Sequence, residues 1–176
     1  MPLSYTELVE LVETGVIDAP LEHVNPCSID VRLGDTLIFE SDELGVVDLS
    51  KREMFQSHTV QMNEKGFYLA PGKFVLAHTM ETFNLPNDIC AEFKLKSSGA
   101  RIGLENALAT WCDPGWHGSK LTLELTNLLN CHDILLRPGD RIGQMVFHRV
   151  KPVPEDQSYA KVGRYNNDDS VQAVKE

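Results

Sequence analysis

Lys96-Ser97-Ser98-Gly99-Ala100-Arg101, Asp113-Pro114-Gly115-Trp116 and Leu121-Thr122-Leu123-Glu124-Leu125-Thr126-Asn127 follow one another between residues 96 and 127. The last of them decides the fold class. Leu121, Leu123 and Leu125 share one face of an extended chain, and Thr122, Glu124 and Thr126 share the other, which is the period of a one-sided strand. A single carboxylate between two threonines can serve as a general base if something covers that face. The first stretch offers hydroxyl, ammonium and guanidinium donors beside a glycine, a density suited to oxygen-rich anions such as phosphates. Taken alone, Ser-Ser-Gly-Ala is an ordinary turn, Asp-Pro-Gly is a turn in any protein, and Glu124 is a solvated strand charge.

Outward from this stretch the pattern repeats. Ser4-Tyr5-Thr6-Glu7 is a capping box, with Leu3 and Leu8 as its staple, and Leu8, Leu11 and Val12 form a helical stripe that Gly15 ends. Ile29 to Phe39 alternates around Gly34-Asp35 and predicts a hairpin, with Asp30 and Arg32 as an ion pair within a strand. Residues 40–65 are charged and weakly patterned. Strands are expected at 67–69, 74–78, 90–95, 121–125, 134–136 and 142–150, and the mostly apolar segment 104–111 is expected to be buried. Short strands with Gly and Pro turns about every ten residues indicate an all-β sandwich or barrel. Residues 1–150 form one domain, and 151–176, with Tyr159 and Tyr165 as its sizeable anchors, are by composition a disordered tail.

The chain has 176 residues and a net charge of −10 from 16 basic and 26 acidic residues. A chain of this length buries roughly two-thirds of its unfolded surface without staples. The acidic balance argues against a nucleic-acid polymer as partner but permits a small phosphate ligand on a local basic cluster. No signal peptide and no apolar run of membrane-spanning length is evident, so a soluble, cytoplasmic protein without a membrane partner is expected. Cys27, Cys90, Cys112 and Cys131 are scattered singly and are expected to be buried small hydrophobes rather than disulfides. A zinc-dependent nucleobase deaminase needs H-x-E followed by P-C-x-x-C. The nearest approximations, His78-Thr79-Met80-Glu81 and Pro26-Cys27-Ser28-Ile29, do not fit, so no zinc and no protein-held metal is expected.

In this order, Lys-Ser-Ser-x-x-Arg, Asp-Pro-Gly-Trp and Leu-Glu-Leu-x-Asn resemble the dCTP deaminases of the trimeric dUTPase-like superfamily. Three further stretches agree: Pro-Cys-Ser-Ile-Asp-Val-Arg-Leu-Gly (26–34), Leu-Ala-Pro-Gly-Lys-Phe-Val-Leu-Ala (69–77) and Arg-Pro-Gly-Asp-Arg-Ile-Gly-Gln-Met-Val-Phe (137–147). The similarity spans roughly residues 4–150. It implies a mainly β fold, a dUTPase-like distorted jelly-roll or β-clip with one short N-terminal helix and a flexible C-terminal lid. It further implies a homotrimer with sites between subunits, and hydrolysis of dCTP to dUTP and ammonia.

By the same resemblance Glu124 is the catalytic base and proton shuttle, while Ser97 and Arg101 orient the water and support the transition state. Lys96 and Ser98 grip the triphosphate, with Gly99 and Ala100 beside them in the same loop. Thr122 and Leu123 contact base and sugar through the backbone. Asp113 holds the sugar, Gln144 contacts the nucleotide, and Tyr159 with Arg164-Tyr165 belongs to the lid. Magnesium would arrive with the triphosphate.

Three departures bear on this. Asp113 sits one residue early, Ala107–Cys112 differs from the segment that contacts the base in relatives, and Asp168 stands where a lid glutamine is expected. The rival readings are a two-step enzyme taking dCTP to dUMP, a dUTPase, and a non-catalytic nucleotide-binding trimer. A dUTPase should carry a sugar-stacking tyrosine, which Trp116 replaces, and a glycine-rich arm, which is missing. A modified deoxycytidine nucleotide also remains open as substrate.

Overall fold

The structure, a computed structural model, describes residues 1–107 and 109–175. Helix α1 (Tyr5–Glu13) is followed by β1 (Ile29–Arg32), β2 (Thr36–Glu40), β3 (Ser57–Gln61), β4 (Phe67–Leu69), β5 (Phe74–Asn84) and β6 (Ile89–Leu95). Then come α2 (Ser97–Arg101), β7 (Leu104–Asn106), β8 (Trp111–Cys112), β9 (His117–Asn127), β10 (Ile134–Leu136), β11 (Arg141–Arg149) and α3 (Tyr159–Val162). The strands form a four-stranded sheet ordered β1-β11-β6-β8, a five-stranded sheet ordered β3-β2-β5-β9-β7 and the pair β10-β4, with every pairing antiparallel. The mainly β expectation is met, with two short helices, α2 and α3, added to the N-terminal one.

The capping box forms as expected, Glu7 accepting from both the backbone N–H and the hydroxyl of Ser4 at 2.9 and 2.8 Å. Leu3, Leu8 and Leu11 are buried, and Gly15 ends the helix at a φ of +76° that favours glycine. Long strands β5 and β9 are the spine of the five-stranded sheet. Their inward residues Val75, Ala77, Leu123 and Leu125 enter the main core with Ile29, Val31, Met145 and Phe147 from the facing sheet.

The expected 29–39 hairpin does not form. β1 pairs with β11, whereas β2 pairs with β3 and β5, so the chain passes from one sheet to the other at Gly34. Local alternation cannot reveal this, because a strand shows its period whichever partner it takes. Gly34 is required for close approach rather than for a turn: a Cβ there would lie 2.1 Å from the His78 ring. That ring is buried, with Nδ1 2.8 Å from the Thr79 carbonyl oxygen and Nε2 accepting from the Thr36 N–H at 3.3 Å. Burial, the largest influence, lowers the His78 pKa.

Asp30 and Arg32 also take other partners. Asp30 meets Lys96 at 2.7 Å, and Arg32 meets the buried Glu81 at 2.7 Å. Segment 104–111 is not uniformly buried: Glu105, Ala107, Ala109 and Trp111 are exposed, and Leu108 lies outside the described residues. All four cysteines are free, but only Cys90 and Cys112 are buried, Cys27 and Cys131 being exposed.

Nor does the tail behave as its composition suggests. Ser158, Asp168 and Val171 are buried against the domain. Lys120 N–H donates to the Asp168 carbonyl at 2.7 Å, and Asn167 N–H to the His117 carbonyl at 3.1 Å, so the tail runs along β9. Few apolar residues are needed when the domain supplies the bonding partners. Among the described residues no helix is long and apolar enough to cross a membrane.

Candidate active site

Glu124 is held by its backbone before its side chain matters. Its N–H donates to Asn106 Oδ1 at 2.9 Å, and its carbonyl accepts from Ala107 N–H at 2.9 Å. Asn106 is buried at the end of β7, which pairs with β9 through Leu104↔Asn127 and Asn106↔Leu125. The alternation of β9 then turns the Glu124 side chain away from the main core, onto the outer face of the five-stranded sheet.

That face is covered. Ile38, Leu76 and Val171 form a second apolar cluster, joined by Met54, Phe74 and Ala173. Beneath this cover lies a cavity of about 420 Å³ whose walls include Glu124, Thr122, Lys120, Asp113, Trp111 and Gln172. Glu124 Oε2 is buried and has no hydrogen-bond partner among the described residues. Burial pushes the carboxyl up to about 7. A carboxylate withdrawn from water and left unpaired prefers its neutral form, which is how a glutamate becomes able to accept and return a proton near neutral pH.

Of the residues expected at the site, Glu124, Thr122, Asp113, Tyr159 and the lid residue Tyr165 line this cavity. The Leu123 side chain is fully buried in the main core, leaving only its backbone near the cavity. Lys96 and the α2 residues Ser97, Ser98, Gly99, Ala100 and Arg101 do not line it, and Ser97, Ser98 and Arg101 are exposed. Gln144 and Arg164 are also outside it. Lys96 and Gln144 instead gather about Asp30. The buried Asp30 carboxylate accepts from Lys96 Nζ at 2.7 Å and Asn25 Nδ2 at 2.8 Å, with Arg141 at 3.6 Å; Gln144 is its Cα partner and accepts from the Ser28 hydroxyl at 3.1 Å. A single chain therefore holds the expected residues in two separate places: a carboxyl cavity, and a donor-rich helix with a basic cluster beside it.

The sequence reading missed several residues that line the cavity or hold its carboxyl in place. Lys120 was recoverable, since extending the β9 alternation by two residues puts it on the Glu124 face. Asn106 gave no signal, because its role depends on which strand β9 pairs with. Gln172 lies four residues beyond Asp168 and donates its N–H to Thr122 Oγ1 at 3.1 Å, so the tail does place a glutamine at the cavity. Asp168 pairs with Lys175 at 2.5 Å. Trp116 is unavailable for stacking on a ligand: it is buried, stacks on Phe83 with centroids 5.2 Å apart, and donates Nε1–H to the Tyr165 carbonyl.

A mainly β frame thus holds a sheltered carboxyl in a covered cavity large enough for a small ligand. The chain belongs to the dCTP deaminase-like family, whose model matches residues 3–150. It is 35% identical over 178 aligned positions to the dCTP deaminase, dUMP-forming, of Dictyoglomus thermophilum, covering 95% of this chain and 90% of the relative. The protein of the same description from Nanoarchaeum equitans is 36% identical, covering 90% of this chain and 87% of its own. The fold is similar to the crystal structure of 2′-deoxycytidine 5′-triphosphate deaminase from Agrobacterium tumefaciens, with TM-score 0.66 and 24% identity over 85% of this chain and 48% of that one.

Proposed function

We propose that the protein deaminates dCTP, taken with Mg²⁺ on its triphosphate, and carries the product on to dUMP. The observation that carries the deamination is the half-buried Glu124 carboxyl in the cavity wall, whose Oε2 is sealed from solvent without a partner among the described residues and whose pKa burial raises to about 7. The dUMP end point is supported by the names of the relatives, and it replaces dUTP, the product favoured from sequence, as the leading reading.

In the deamination step Glu124 takes a proton from water as the oxygen adds to C4 of the cytosine ring. It returns that proton to N3, then carries the proton of the new C4 hydroxyl to the amino nitrogen, so that collapse of the tetrahedral carbon to the C4 carbonyl expels ammonia. The second step uses another water to cleave between the α- and β-phosphates, so that dCTP and two waters yield dUMP, pyrophosphate and ammonia. Mg²⁺ enters as part of the substrate, where it offsets phosphate charge. No zinc is invoked, since addition and protonation are both assigned to Glu124.

The two half-sites are joined in an assembly, which we infer to be a homotrimer. There α2 of one subunit brings Ser97, Arg101, Ser98 and Lys96 to the Glu124 cavity of another. Ser97 then orients the water and Arg101 faces the developing charge. Gly99 and Ala100 offer backbone to the ligand, Gln144 lies in the basic half-site, and the tail, with Tyr159, Tyr165 and Gln172 in the wall and Arg164 between them, covers the cavity. Thr122 and Leu123 meet the base by their backbone, and Asp113 the sugar.

Incubating the protein with dCTP and Mg²⁺ and resolving the products tests this. Ammonia with dUMP and pyrophosphate is expected. Ammonia with dUTP alone would establish the single-step enzyme, and inertness towards all deoxynucleotides would establish a binding module.

A further inference from the structure

The chain has two tryptophans, and they differ sharply in environment. Trp116 is 5% exposed and structural, whereas Trp111 is 57% exposed and lines the cavity that contains Glu124. Its indole is nonetheless fixed. Nε1–H donates to Asp113 Oδ1 at 3.0 Å, and the ring stacks on His148 with centroids 6.4 Å apart and planes inclined at 25°. The backbone is fixed as well, since β8 pairs with β6 through Glu92↔Trp111. A large aromatic surface open to water forgoes the burial such a ring normally gains. Held at its N–H edge and on one face, the ring turns its remaining surface to whatever fills the cavity.

We propose that Trp111 is the aromatic wall on which the pyrimidine ring of the substrate stacks, and that it sets nucleotide affinity rather than the chemical step. This deepens the deoxycytidine-nucleotide reading and rests on it. The indole N–H bond also positions Asp113, leaving the carboxylate's other lone pairs free for a ligand hydroxyl. Stacking is indifferent to exchange of the ring's amino group for a carbonyl, which suits a site that must hold both the cytosine and the uracil form.

The test uses the full-length protein and two readouts. Titration with dUMP, or with dCTP and Mg²⁺, should quench the emission of Trp111, and the quench should vanish in Trp111→Phe, where Trp116 is the only fluorophore of its kind. Trp111→Leu should raise KM for dCTP by about 10- to 100-fold while kcat stays within about threefold, and Trp111→Phe should restore most of the affinity. Trp111 is largely exposed, so both variants should keep the thermal midpoint. An unchanged KM in Trp111→Leu, together with unaltered emission at saturating nucleotide, would overturn the proposal while leaving the deaminase reading intact. Trp111-dependent quenching by a nucleotide that is never deaminated would uphold the wall and overturn the assigned reaction.

Discussion

At the scale of single residues, burial does two opposite things here. On the proposed reading it makes Glu124 reactive, and it makes the carboxylate costly to keep ionised. The folded chain binds the Glu124 proton more tightly than the unfolded chain, about 7 against 4.5. The stability this confers is complete below about pH 4.5, declines as pH rises through 7, and is absent above that. Glu124→Gln removes the ionisation, so its melting temperature should exceed that of the wild type by more at pH 8 than at pH 5, read by calorimetry at both. An equal difference at the two pH values would mean that the carboxyl is not desolvated. Gly34 makes the complementary point about packing. Gly34→Ala should lower stability by about 1–3 kcal/mol, because the new methyl must displace the enclosed His78 ring. Denaturant titration of Gly34→Ala, His78→Ala and the double variant should show strong coupling between the two positions.

At the scale of elements, Asn106 and the tail convert a strand into a site. Asn106→Ala removes the side-chain bonds to Glu124 N–H and to the Ala107 carbonyl. It should cost about 1–3 kcal/mol in denaturant titration and depress kcat more than KM, since it loosens the base rather than the ligand. Ending the chain after Gly163 removes the groups that bond Trp116, Ser119 and Thr122 and uncovers Ile38 and Leu76. That truncation should lower both turnover and melting temperature. Which elements exist was largely legible: the alternation of Leu121, Leu123 and Leu125 set the face of β9, and Ser4 with Glu7 set the start of α1. What they pair with was not, because Ile29 pairs with Met145 and Thr36 with Gln61, partners chosen by distant sequence and not by the Gly34-Asp35 step between the two strands. The tail misled for a related reason, since its bonds are to β9 and composition counts only what a segment brings with it.

At the scale of the whole molecule, the fold separates the two kinds of chemistry the reaction needs. The five-stranded sheet carries the carboxyl, and Trp111 reaches the same cavity from β8 at the edge of the four-stranded sheet, whose strand β6 leads into α2 and the basic cluster around Asp30. On the proposed reading neither half alone both activates water and grips a triphosphate, and juxtaposition of different chains would supply both. Subunit mixing tests this most directly. Ser97→Ala and Glu124→Gln proteins, each inactive alone, should recover dCTP deamination when unfolded together and reassembled in equal amounts. Roughly a quarter of the sites would then pair an intact serine helix with an intact carboxyl, each present in half of the chains. Ammonia release near a quarter of the wild-type rate is the predicted result, and a mixture as inactive as its two components would contradict the account.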